Sequence, residues 1–158
     1  METSEEKFLE HLNANVRIAH KVCNVWFQDE DDRKDALQEM IFQLWKSFPA
    51  YRGDAKFSTW MYRVCLNTAI TLSKRRSNHV RIDNSHMAIP SVNPDKSDQA
   101  EALYRISGGF SPVDKGVILL HLEGYSYDEI SSIMGITRSN VSVKLVRIKQ
   151  KIEQLLKS

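Results

Sequence analysis

Cysteine is nearly absent from the sequence. Two thiols, Cys23 and Cys65, stand far apart in 158 residues. Each lies inside an apolar helical pattern, so they read as buried, reduced side chains rather than a disulfide framework. The five histidines show neither HExxH nor CxxC-like spacing, and no metal site is expected. No apolar run approaches the ~18 residues that span a bilayer. The N-terminal METSEEKFLEHL has no basic-then-apolar leader pattern, which makes the cytoplasm the expected compartment. Period-two alternation is missing, so no sheet is expected. A nucleophile–base pair, a phosphate loop and a ligand cluster are also missing. The expectation is therefore a protein that is not an enzyme, takes no cofactor and has no small-molecule substrate.

What is present is helical periodicity and an uneven charge distribution. The formal net charge of +2 is too small to announce a polyanion partner, but its placement says more. The first 54 residues hold eleven acids against seven bases, whereas the 29 residues from Ile130 hold six bases against one acid, Glu153. After Asp54 no acid appears until Asp83, while Lys56, Arg63, Lys74, Arg75, Arg76 and Arg81 accumulate. An acidic leading part and two basic zones predict one face for protein and two for nucleic acid.

The interval Ser77 to Gln99 carries Pro90, Pro94 and many turn formers. So long an interval without an apolar period is expected to be a linker between domains. The fold class is accordingly all-α: two small helical domains joined by a flexible linker, spanning residues 1–76, 77–99 and 100–158. The first domain should hold helices over about 4–27, 33–48 and 58–76, the last capped by Ser58. In the second, Ser111-Pro112 reads as a cap with an N1 proline, and SYDE (Ser126 to Glu129) as a capping box. Gly135 stops that short helix and Thr137 caps the final one. Short helix, glycine turn and longer basic helix are the order of a helix-turn-helix.

On the final helix Val141, Leu145, Ile148 and Ile152 form one inward stripe. Arg138, Ser139, Ser142, Val143, Lys144, Val146 and Arg147 are left on the outer or flanking surface. Arg and Lys meet phosphates or guanine edges, Ser donates or accepts, and valine packs on thymine methyls. In the third helix Met61, Val64, Cys65, Thr68 and Leu72 point inward, while Arg63, Asn67, Ile70 and Lys74 share another face ahead of Arg75 and Arg76. The loop YRGDAKFS is expected to present Tyr51, Arg52 and Phe57 around a turn at Gly53. Rings beside cations suit unpaired bases, whose stacking contributes about 1–3 kcal/mol each. The alternative is that Phe57, Trp60 and Tyr62 are core residues, and for Trp60 that is the favoured reading. In DALQEMIFQLWKSF the apolar stripe takes Ala36, Leu37, Met40, Ile41, Leu44, Trp45 and Phe48. Phe42 lies roughly 150° from its centre, among Asp35, Gln38, Glu39 and Lys46, as a protein-interface anchor would.

At these residues the chain resembles the sigma factors of bacterial RNA polymerase, specifically the small extracytoplasmic-function (ECF) group. DALQEMIFQLWKSFPAYRGDAKFSTWMYRVCLNTA is similar to the family's region 2, and GYSYDEISSIMGITRSNVSVKLVRIKQKI to its region 4. The resemblance implies roles. Asp35, Gln38 and Glu39 match a D-x-x-Q-E face that docks on the clamp helices of the polymerase β′ subunit, with Phe42 on the same side. The loop Tyr51 to Ser58 matches the segment that captures a flipped base at the −10 element, and Arg63, Asn67, Lys74, Arg75 and Arg76 continue that contact. The final helix matches the one that enters the major groove at the −35 element. The linker would thread toward the polymerase active site and RNA-exit path. The implied partners are core RNA polymerase, through β′ and β, promoter DNA, and an anti-sigma factor. Two rivals remain open on the residues alone: a stand-alone dimeric helix-turn-helix repressor, which leaves Phe42 and the aromatic loop idle, and a small helical enzyme.

Overall fold

The structure, a computed structural model, describes residues 2–80 and 109–157, with side chains at 76–80 outside the description. Arg76's side chain and most of the expected linker therefore lie outside the described residues. All regular elements among the described residues are helices. Helix α1 spans Ser4–Trp26 and opens with a Thr3/Glu6 capping box that satisfies donors at both residues. Helix α2 spans Glu30–Ser47, capped by Asp29 and followed by a 3-10 turn at Phe48–Ala50 that takes in Pro49. Three acids in the first turn of α2 complement the helix dipole.

Helix α3 spans Phe57–Val80, four residues past the expected end at Arg76. Its start also differs from expectation. The amide of Trp60 donates to the carbonyl of Lys56 at 3.1 Å, so the helix is entered at Lys56 and Ser58 sits inside the first turn. Burial of Phe57, 6% exposed, fixes the backbone into the helix one residue earlier than a serine cap would.

The second half follows its punctuation closely. Helix α4 spans Pro112–Leu122, with the Ser111 hydroxyl accepting from the Asp114 amide at 3.2 Å. Helix α5 spans Tyr127–Met134 behind the Ser126/Glu129 capping box. Those hydrogen bonds from Ser126, with Lys56 nearby, hold the Glu129 carboxyl below its ordinary value. Gly135 then turns the chain at φ 70°, a left-handed conformation that glycine adopts without steric cost. Helix α6 spans Arg138–Lys157, and the Thr137 hydroxyl accepts from the Asn140 amide at 3.1 Å.

The two halves share one continuous apolar core. Met61, Cys65 and Thr68 are buried as the inward stripe of α3 requires. Tyr62, Leu66 and Ala69 are buried too, and they form a second stripe at i, i+4 and i+7. Against it pack α4 and α5. Tyr62 meets Tyr125 edge-on at 5.8 Å between ring centroids. A Cβ on Gly116 would stand 2.7 Å from Met134 Cε and 3.9 Å from Leu66 Cδ2, so the absent side chain lets α4 close on both. Lys21 of α1 pairs with Glu123 at 2.5 Å, both half-exposed; such a surface pair contributes little, in the range of about 0–1 kcal/mol.

Both cysteines are buried and unpaired with each other in any disulfide. Burial pushes each thiol up to about 12, with Arg33 opposing this at Cys23 and Cys23 adding to it at Cys65. A thiol raised in the folded state stabilises fully below its unfolded value of 9.0 and loses that contribution as pH climbs toward 12. Denaturant midpoints measured across that window should fall with pH, and Cys23→Ala, Cys65→Ala together should flatten the decline. Leu66→Ala, at a site 1% exposed, should cost about 2–5 kcal/mol in urea unfolding; a loss below about 1 kcal/mol would mean the two halves do not share this contact.

Candidate nucleic-acid interface and docking face

With two stripes of α3 buried, its polar side chains are confined to what remains. Arg63, Asn67, Lys74 and Arg75 are exposed, and Ile70, expected on the same face, is half-buried. Asn67 and Arg75 line a groove of about 240 Å³ between α2 and α3 with Glu39, Gln43, Thr68, Thr71 and Leu72. The Thr71 hydroxyl donates to the Asn67 carbonyl at 2.8 Å, and Thr68 likewise to Val64. Both threonine hydroxyls are thus occupied by the helix backbone.

The aromatic loop departs from expectation at one position. Phe57 is not presented by the loop. Its ring lies in a cluster with Phe48, Tyr51, Trp60 and His11, all within 6.5 Å between centroids. Burying a ring of that size is worth more than exposing it, by about 1.5–3 kcal/mol, and the first turn of α3 delivers it to the core. Tyr51 is half-buried, tilted on Trp60 at 5.2 Å, and its hydroxyl donates to the Ala55 carbonyl at 2.9 Å. Arg52 is exposed beside it. Trp60 is half-buried and Tyr62 buried, as core residues.

On α6, Val141, Leu145 and Ile148 are buried, while Val143 and Val146 are 46% and 54% exposed. Arg138, Ser139 and Arg147 are exposed and Ser142 is half-buried. Lys144 is only partly on the surface. Its ammonium pairs with Asp114 of α4 at 2.9 Å, each side chain one-quarter exposed. Arg138 Nε stands 3.4 Å from Asp128 of α5, in the open. Asn140 and Lys149, not singled out from the sequence, are also exposed on this helix.

The α2 face is broader than one phenylalanine. Phe42 is 55% exposed, and beside it Leu9 and Trp45 are 45% and 44% exposed. With Glu5, Phe8, Gln38 and Ile41 they line a groove of about 500 Å³ between α1 and α2. Trp45, assigned to the inward stripe from periodicity, lies on the rim, its ring tilted on Phe8 at 5.1 Å. Asp35 and Gln38 are exposed; Glu39 is half-buried and accepts from Gln43 Nε2 at 3.0 Å. The sequence signal for Leu9 is its place beside Phe8 on an otherwise polar turn.

Comparison with known proteins decides what these surfaces belong to. Residues 8–79 match the family model for sigma-70 region 2, and residues 101–152 that for sigma-70 region 4. The chain belongs to the sigma-70 family. It is 27% identical over 158 residues to the ECF RNA polymerase sigma-E factor of Escherichia coli strain K12, covering 87% of this chain and 82% of the relative. It is 22% identical over 146 residues to the ECF RNA polymerase sigma factor SigM of Mycobacterium tuberculosis, covering 89% and 72%. The fold matches the sigma factor RpoE of Bartonella quintana, solved in complex with the anti-sigma factor NepR, with TM-score 0.67, 17% identity and 97% and 96% coverage. It also matches CnrH, solved with the cytosolic domain of CnrY, with TM-score 0.69, 18% identity and 97% and 89% coverage. The ECF resemblance of the two sequence blocks is thereby upheld, and a sigma factor, rather than a stand-alone repressor, is the function the relatives support. No described helix is long and apolar enough to cross a membrane, and among the described residues no cluster of three metal-ligating side chains occurs.

Because Lys144 is tied to Asp114 and Arg147 is not so held by any described pair, the two cations should separate in stability measurements. Lys144→Gln should lower unfolding free energy by up to about 1 kcal/mol, whereas Arg147→Gln should stay within about 0.5 kcal/mol of wild type. Equal, near-zero effects would remove the structural role of the pair.

Proposed function

We propose that the chain binds core RNA polymerase in the cytoplasm through the α1/α2 groove and directs it to promoters with two separate DNA-reading surfaces. The division is residues 1–76 for polymerase docking and the −10 element, 77–99 for the connection, and 100–158 for the −35 element. Leu9, Phe42 and Trp45 supply the apolar anchor of the docking face, and Asp35 and Gln38 its polar margin, with Glu39 one position round α2 on the side of the α2/α3 groove. Buried aromatic anchors with charged rims are the usual energetic centres of protein interfaces.

Helix α6 enters the major groove, with Arg138, Ser139, Ser142, Val143, Val146 and Arg147 toward bases and phosphates and Lys144 at the flank. On α3, Arg63, Asn67, Lys74, Arg75 and Arg76 meet the −10 strand beside Tyr51 and Arg52. Extruding a base costs a few kcal/mol, which stacking and amide contacts at this surface offset. The reading rests above all on the acid-free strip of α3 that sets Asn67 and Arg75 in one groove. An anti-sigma factor, as NepR is for one structural neighbour, is the expected inhibitor of either surface.

Separation of the halves is part of the proposal. Elements centred about 25 base pairs apart lie roughly 85 Å apart along B-form DNA. A compact chain of this size has a radius of gyration of about 15 Å. The contact of α3 with α4 and α5 must open when both surfaces engage one promoter.

Run-off transcription with purified core polymerase on genomic promoter fragments tests the assignment. Phe42→Ala should weaken core binding roughly tenfold or more. Asn67→Ala should leave core binding intact and reduce open-complex formation by roughly 5- to 150-fold. On the −35 side, Arg147→Gln should lower the slope of log affinity against log salt by about one, and Lys144→Gln by less. Equal transcription from all variants would sink the residue assignments.

A further inference from the structure

The burial of Phe57 leaves a question about which ring the loop offers to solvent. The outermost ring over Phe57 belongs to α1. His11 stacks on Phe57 with centroids 4.7 Å apart and planes 16° from parallel. It stands 6.3 Å from Tyr51, edge-on, and 6.3 Å from Phe48. Phe57 is buried, yet His11 itself is exposed. One face of the imidazole is therefore occupied by Phe57, and the side chain remains open to water elsewhere.

The surroundings favour an anionic, planar ligand. Along the same helix face lie Lys7 and Phe8 one turn before and Ala14 and Asn15 one turn after, so no acid occupies an i±3 or i±4 position. Asn15 is turned back, its side-chain amide donating to the His11 carbonyl at 2.9 Å, and Ala14 has no bulk to cover the ring. Arg52, exposed next to Tyr51, supplies a second cation at this end. Glu10, the neighbouring acid, has its carboxyl raised chiefly by its hydrogen bond with Glu2, and His11 pulls weakly the other way.

We propose that His11 is a nucleobase-stacking residue: its exposed ring, backed by Phe57, takes an unpaired base of the opened promoter strand next to the Tyr51–Arg52 loop. This rests on the reading that the loop meets single-stranded DNA. A ring braced on a second ring loses little freedom when a base lands on it, and stacking on such a platform is sequence-tolerant because every base has a π-face. The imidazole also carries N–H and N groups at its edge that a phenylalanine lacks.

The test uses holoenzyme assembled from core polymerase and the full chain. The probe is a fluorescein-labelled single strand carrying the non-template sequence of a promoter that supports run-off. His11→Ala should weaken binding of that strand roughly 5- to 150-fold, and His11→Phe should retain most of it. His11→Leu keeps an apolar cover on Phe57 without a π-face, and should lose affinity as alanine does while unfolding at the wild-type denaturant concentration. If both His11→Ala and His11→Leu bind as wild type, the platform is refuted. If wild-type holoenzyme binds the strand no better than core polymerase alone, the single-strand reading of the loop fails first, and the platform with it.

Discussion

Burial of α3 on two sides is the constraint from which the rest of the molecule follows. One stripe, Met61, Cys65 and Thr68, closes against α1 and α2; the other, Tyr62, Leu66 and Ala69, closes against α4 and α5. A helix has only so much circumference, and at 3.6 residues per turn two buried stripes leave one narrow strip for water. Arg63, Asn67, Thr71, Lys74 and Arg75 fall on or near that strip. The crowding of cations and one amide into a line is thus partly a product of packing, and it creates a continuous polar edge beside the α2 groove.

How far the sequence discloses this depends on the range of the interactions. Caps are local, and Ser111, Ser126, Gly135 and Thr137 all do what their residue types require within four positions. The helix-turn-helix was legible for that reason, as were the inward residues of α6. Ser58 failed as a cap because a long-range contact, Phe57 against His11 and its neighbours, set the start of α3. Trp45 and Phe57 exchanged places relative to expectation: the tryptophan on the apolar stripe reached the rim, and the phenylalanine in a polar loop reached the core. Periodicity locates an apolar face but cannot say how many neighbours will cover it. The second stripe of α3 was invisible on the same ground, since its partners lie more than forty residues downstream.

The electrostatics of the second half show a related limit. A count of six bases against one acid from Ile130 onward portrays α6 as an unopposed basic surface. Two of those cations meet carboxylates from the preceding helices, Lys144 with Asp114 and Arg138 with Asp128. The pairs are not equivalent. Lys144 and Asp114 are three-quarters covered and fix the angle between α4 and α6, whereas Arg138 and Asp128 are two-thirds exposed or more and exchange partners at little cost. A phosphate arriving at the start of α6 competes with an open, screened pair; one arriving near Lys144 must displace a partly desolvated one.

The proposed function requires the contact between the halves to reverse. Within the one continuous core each half contributes fully buried residues: Val22, Val25, Met40, Leu44 and Met61 from the first, and Val117, Leu120, Ile130, Val141 and Leu145 from the second. Between them lie the Lys21–Glu123 ion pair, the edge-on Tyr62–Tyr125 pair and the Leu66–Gly116–Met134 contact, with Ala69 buried on the same stripe and Lys56 near Glu129. Opening would wet Tyr62 and Leu66. The Tyr62 phenol, pushed up by burial and then by Glu123, stays neutral in both states at ordinary pH, so separation moves no buried charge into water. A junction whose cost is mainly apolar area from a few side chains can be offset by binding energy of the size that one good protein interface or two DNA surfaces supply. On that proposal, the residues that join the halves in the free chain also set how much of the partner's binding free energy goes into opening it.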